Sequence, residues 1–150
     1  MFSGGKGIEL QQTAVDFRAE RKALVERITV ARIVGDFDYL ERVSAPDIIV
    51  KLIGAPDLFP YCGEYHGRRD ARQALEQAHI EFSFHDMKLD HILIDGEQVA
   101  VRWSGTLRNR GTGASGHFEG FTHLIFEAGL IKEYFTFIDT AAMRALAQPD

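Results

Sequence analysis

LDHILIDGEQVAVRWSGTLRNRGTGASGHFEGFTHLIFEAGLIKEYFTFID, residues 89–139, reads as a chain of strands with turn chemistry at each junction. Leu89–Asp95 turns into Glu97–Arg110 through Asp95-Gly96, the strongest short hairpin signal a sequence offers. His117–Glu127 follows the glycine-rich loop Gly111–Gly116, and Leu130–Asp139 follows Ala128-Gly129. The result is a continuous antiparallel meander. A sheet of that size curves and needs a cover on one face. Only the segments upstream can supply the cover.

Those segments are largely helical. From about Leu10 to Val34, the apolar residues Val15, Leu24, Val25, Ile28, Ala31 and Ile33 fall mostly three and four apart, with charged residues between them. Gly35 closes that helix and Asp36 caps a short one, Phe37–Val43, which Pro46 stops. Ile48–Ile53 predicts a buried strand, Tyr61–His66 a short edge strand, and Arg69–Phe82 a third helix with Ala71, Ala74, Leu75 and Ala78 inward. Asp139 caps a last short helix, Ala141–Leu146; we prefer that role to catalysis. Residues 1–8, glycine-rich, are expected to be disordered. The order helix, helix, strand, helix, meander is that of a single α+β domain over 1–150.

Composition excludes several classes. A net charge of −5 with no basic cluster argues against nucleic acid. The single cysteine, Cys62, forbids an intrachain disulfide and a cysteine-based zinc site. No apolar run has the length of a membrane span, and the opening residues lack the apolar core of a signal peptide, so a cytoplasmic protein without a membrane partner is expected. Gly111–Gly116 is no phosphate loop, because it lacks the Gly-Lys-Ser/Thr ending and joins two strands. The histidines His66, His79, His91 and His117 show no metal-site spacing; neither a metal nor a cofactor is expected.

Four stretches carry a resemblance: Gly35-Asp36-Phe37-Asp38-Tyr39-Leu40 with Ala45-Pro46-Asp47; Gly63-Glu64-Tyr65-His66-Gly67-Arg68; Ile94-Asp95-Gly96-Glu97-Gln98-Val99-Ala100-Val101-Arg102-Trp103; and Gly129-Leu130-Ile131-Lys132-Glu133 with Asp139. In this order they resemble the SnoaL-like proteins, the ketosteroid isomerase-like branch of the nuclear transport factor two-like superfamily. The resemblance implies a cone-shaped barrel, a strongly curved, mixed but mainly antiparallel sheet wrapped around three helices (the cystatin-like α+β roll). It also implies an apolar pocket inside and a homodimer through the outer sheet face.

Alternation assigns the faces. Val99, Val101, Trp103, Gly105 and Leu107 form an apolar face opposite Ala100, Arg102, Ser104 and Thr106. Phe118, Thr122, Leu124 and Phe126 face one way; Phe121, His123 and Ile125 face the other. Tyr134, Thr136 and Ile138 alternate with Glu133, Phe135 and Phe137. The pocket is therefore expected to be lined by Trp103, Phe118, Thr122, Tyr134, Thr136 and Ile138. The motif match adds Ile28 and Leu52. The outer apolar set, Phe121, His123, Phe135 and Phe137, is the expected dimer contact.

The resemblance also implies what chemistry is missing. Ketosteroid isomerases combine a tyrosine, a carboxylate base and a second aspartate; the matching positions here are Ile28, Leu52 and Thr122. Related dehydratases place an aspartate on the first helix, where this chain offers Arg32 and Ile33. Related epoxide hydrolases use an Asp–Arg–Asp set, and Arg102 alternates away from the Trp103 face. His85, in Phe84-His85-Asp86 before the first meander strand, is the one candidate general acid or base at the pocket mouth. Two functions stand: an isomerase, cyclase or dehydratase acting on a small apolar or carbonyl-containing molecule, and a non-catalytic dimeric protein that binds such a ligand. A carboxylate or histidine on the cavity wall favours the first. A wall of Trp, Tyr, Phe, Thr and aliphatics favours the second.

Overall fold

The structure, a computed structural model, describes residues 3–148, with side chains from Asp16 onward. Of residues 1–8, expected to be disordered, Ser3–Ile8 are helical, and Met1 and Phe2 lie outside the described residues. In order, the elements are α1 (Ser3–Val34), α2 (Phe37–Arg42), β1 (Ser44–Ile53), β2 (Gly63–His66), α3 (Gly67–Glu81), β3 (Phe82–Asp95), β4 (Gln98–Asn109), β5 (Ser115–Glu127), β6 (Leu130–Ile138) and α4 (Thr140–Ala147).

Six strands form one mixed sheet in the order β2-β1-β6-β5-β4-β3. Only β1 and β6 run parallel; the other pairs are antiparallel. The sheet is curved but not closed, with β2 and β3 as its edges. On one face α3 packs on β1 and β2, and α1 lies against β3 and α2; α4 covers one end of β4 and β5. Among the described residues no helix is long and apolar enough to cross a membrane, and no group of three His, Cys, Asp or Glu is placed to hold a metal ion.

Three expected element starts are corrected: α1 begins at Ser3 and not near Leu10, β1 at Ser44 and not at Ile48, and β3 at Phe82 and not at Leu89. Phe82–Lys88 is strand, not helix end and junction, so β3 begins directly after α3. The backbone at Phe82 is already extended, with φ −122° and ψ 141°. Phe82 and Phe84 alternate with Ser83 and His85 as a strand requires. A bulge then sets Asp86 and Met87 against Gly105 alone, between the pairs His85–Thr106 and Lys88–Ser104. The extra residue breaks the period of two and hides the strand.

The core is two adjoining clusters. One gathers Val25, Ile28 and Ala31 of α1 with Val50, Leu75, Val101, Leu124 and Phe126. The other gathers Phe59, Phe82, Trp103, Leu107 and Phe118 with Met143 and Leu146 of α4. Their seam is where the sheet face is left incompletely filled.

Candidate functional site

A cavity of about 100 Å³ occupies that seam. Helix α1 contributes Val25, Ile28, Thr29, Arg32 and Ile33, one face at spacings of three and four. The strands contribute Leu52, Phe82, Phe84, Met87, Leu89, Val101, Trp103, Leu107, Thr122, Leu124, Tyr134, Thr136 and Ile138; Phe59, Ala78 and Met143 complete the wall. Of the residues expected from the sequence, Ile28, Leu52, Trp103, Thr122, Tyr134, Thr136 and Ile138 line this one cavity.

Two are placed elsewhere. Phe118 faces the same side of the sheet but is buried in the α4 cluster, because α4 covers that end of β5. His85 is exposed. It pairs with Thr106 on the outward side of β3, and its Nε2 shares a 2.8 Å hydrogen bond with Ser83 Oγ. The strand turns its neighbour Phe84 into the cavity and His85 away from it, so His85 does not stand on the cavity wall.

The polar groups on the wall form a short chain. Trp103 Nε1 donates to Thr122 Oγ1 at 3.1 Å, and Thr122 Oγ1 and Thr136 Oγ1 share a hydrogen bond at 3.1 Å. Three donors enter this chain and two hydrogen bonds use two of them, so one hydroxyl proton is left over whichever threonine donates. That spare O–H suits a carbonyl or carboxylate oxygen. The indole is held there by its neighbour. A Cβ at Gly120 would lie 2.0 Å from Trp103 Cζ2, so only glycine lets the ring cross β5. Gly105 does the same for Met87, whose Sδ would be 2.3 Å from an added Cβ.

Arg32 is the charged wall residue that sequence reasoning missed. Its guanidinium sits 5.7 Å from the centroid of the Phe84 ring. Its Nη1 is shielded from solvent and has no hydrogen-bond partner among the described residues. The signal was available, since Arg32 follows Ile28 by four residues and so shares its face. Near it, His79 packs edge-on against Phe37, 5.6 Å between ring centroids, and against Gly35, where a Cβ would lie 2.7 Å from its Nε2. Burial pushes the His79 imidazole below its ordinary pKa, and Arg110 and Arg32 push it further the same way. Among the described lining residues none is Asp, Glu or His. Cys62 is off the wall and burial raises its thiol, the wrong direction for a nucleophile.

The family model for the SnoaL-like domain matches residues 25–134. The chain belongs to the SnoaL-like domain family. Solved structures agree on the fold. An NTF2-like protein from Burkholderia thailandensis is 22% identical, with 85% of this chain and 96% of that chain covered at a TM-score of 0.71. A candidate polyketide cyclase from Xanthomonas campestris pv. campestris is 15% identical over the same shares, 85% and 96%, at 0.69. An LEH-like epoxide hydrolase from M. tuberculosis is 19% identical over 84% and 93%, at 0.62. No curated protein sequence matches significantly. At these identities the likeness is one of fold. This SnoaL-like domain keeps the scaffold while its Ile28, Leu52 and Thr122 bring no carboxylate to the cavity.

Proposed function

We propose that this SnoaL-like domain binds one small molecule with an apolar body and an oxygen acceptor, and that its cavity wall does no acid–base chemistry. The observation that carries the reading is the lining: aliphatic and aromatic side chains, hydroxyls, one indole and one guanidinium, with no group that accepts a proton at neutral pH. The names of the fold neighbours, a cyclase and an epoxide hydrolase, favour an enzyme. Yet the positions at which the resemblance expects acidic residues are apolar or hydroxylic here, and His85 points off the wall. The second half of the proposal is a homodimer through the outer sheet face, where Phe121 and Phe137 are exposed.

Trp103 is the only tryptophan and lines the cavity, so its emission reports occupancy. Cyclohexanone is a suitable probe, because its ring is of the size that cavities of this order accept. Saturable change in Trp103 emission, with no enzyme-dependent exchange of the ketone's α-protons in deuterated buffer, is the expected outcome. Exchange that disappears in His85→Ala would restore the enzyme reading.

A further inference from the structure

Arg32 is the only charged side chain on the cavity wall among the described residues. No carboxylate among the described residues lies within ion-pair distance of it. The nearby His79 offers it no counter-charge: burial, then Arg110 and Arg32, hold that imidazole below its ordinary pKa, and its Nδ1 is itself buried without a partner among the described residues. Burying part of a cation without a partner is costly, and the cost falls away when a hydrogen-bonded anion arrives.

A plainer explanation exists. Arg32 is the basic residue in the last turn of α1, where a cation complements the helix dipole. A solvent-facing arginine achieves that from the outer side of the helix. The dipole does not explain why the guanidinium shares a wall with Ile28 and Phe84, or why Nη1 is shielded without a partner.

Resting on the pocket reading proposed above, we infer that Arg32 receives a carboxylate on the bound molecule. The ligand class is then a small monocarboxylate whose apolar body is about one six-membered ring. The guanidinium offers two parallel N–H donors to a carboxylate, the Phe84 ring centroid lies 5.7 Å from it, and the apolar wall takes the ligand's ring. A phosphate fits less well, because its greater charge and hydration would have to be shed into an apolar cavity with one cation.

The test uses an isosteric pair, cyclohexanecarboxylate and cyclohexanecarboxamide, titrated at pH 7.5 against Trp103 emission. The wild-type protein binds the carboxylate at least about tenfold tighter, as for one charge-assisted bidentate contact. Arg32→Met brings the two affinities together, and Arg32→Lys retains part of the preference. In ligand-free protein Arg32→Met raises Tm by about 2–4 °C, because an unpaired cation is replaced by an apolar chain of similar length; a helix-end role predicts a fall. Equal wild-type affinities, or a preference that survives Arg32→Met, overturn the inference and leave the pocket reading standing. If the wild-type protein binds neither compound, the pocket reading falls and this inference with it. The wild-type comparison decides the matter even if Arg32→Met fails to fold.

Discussion

Thr122 is the hinge of the polar chain in the cavity. It is 5% exposed and accepts the Trp103 N–H while sharing its second hydrogen bond with Thr136. Thr122→Val keeps the shape and removes the acceptor, leaving a buried indole N–H unsatisfied. The expected cost is about 1–3 kcal/mol, read as a Tm lowered by several degrees. Thr136→Val keeps the Trp103 bond and should cost less; equal losses would contradict this ranking. Trp103, Thr122, Tyr134, Thr136 and Ile138 could be placed on one face because a period of two leaves little choice once that face is apolar, whereas Phe84, Met87 and Leu89 of β3 were not read as wall residues. Arg32 was not read there, because an arginine is ordinarily assigned to solvent and its place on the wall follows only from its step of four after Ile28. Gly120 was illegible for another reason: its role is an empty volume that the Trp103 ring fills, and no pattern in the chain announces which neighbour crosses a glycine.

Turn chemistry and capping made most elements legible; what they left unread were element starts and the packing of the last helix. The β3 bulge at Asp86-Met87 concealed the first half of that strand, and with it the outward direction of His85. Helix α4 was expected from Asp139, but its resting place over β4 and β5 was not, and that is why Phe118 belongs to its cluster and not to the cavity. Asp139 does act as the cap: its Oδ1 accepts the Ala142 N–H at 3.0 Å. Helix α4 in turn brings Met143 to the cavity and hydrogen-bonds its surroundings, with Thr140 Oγ1 accepting from the Ala55 N–H at 3.2 Å. Asp139→Ala should therefore destabilise by about 1 kcal/mol, and Asp139→Asn, an equally good cap, by much less. Thermal melts of the two variants check this. If Asn were as damaging as Ala, the negative charge, not the cap, would be what position 139 needs.

At the scale of the molecule, one sheet serves two faces. The inner face holds the two core clusters and the cavity between them. The outer face carries two cross-strand rows: Leu93, Ala100, His123, Phe135 and Lys51 in one, and His91, Arg102, Phe121, Phe137 and Ile53 in the other. Phe121 is 41% exposed and Phe137 47%, and the two are direct cross-strand partners. Aromatic rings in adjacent strands would normally be covered, and a two-fold axis through the sheet would set each row against its own copy. Our proposal of a homodimer rests on this face. Its prediction is specific to it. The wild-type protein should sediment as a dimer at micromolar concentration. The double variant Phe121→Glu, Phe137→Glu should sediment as a monomer, because four carboxylates would meet in an apolar contact. Far-UV circular dichroism should be unchanged, since both side chains already stand in solvent in the single chain. Binding of cyclohexanecarboxylate should persist, because neither residue lines the cavity. A wild-type monomer would remove the dimer from the proposal. A monomeric variant that also lost binding would show instead that the two faces of the sheet are coupled, the cavity keeping its shape only when the outer rows are covered.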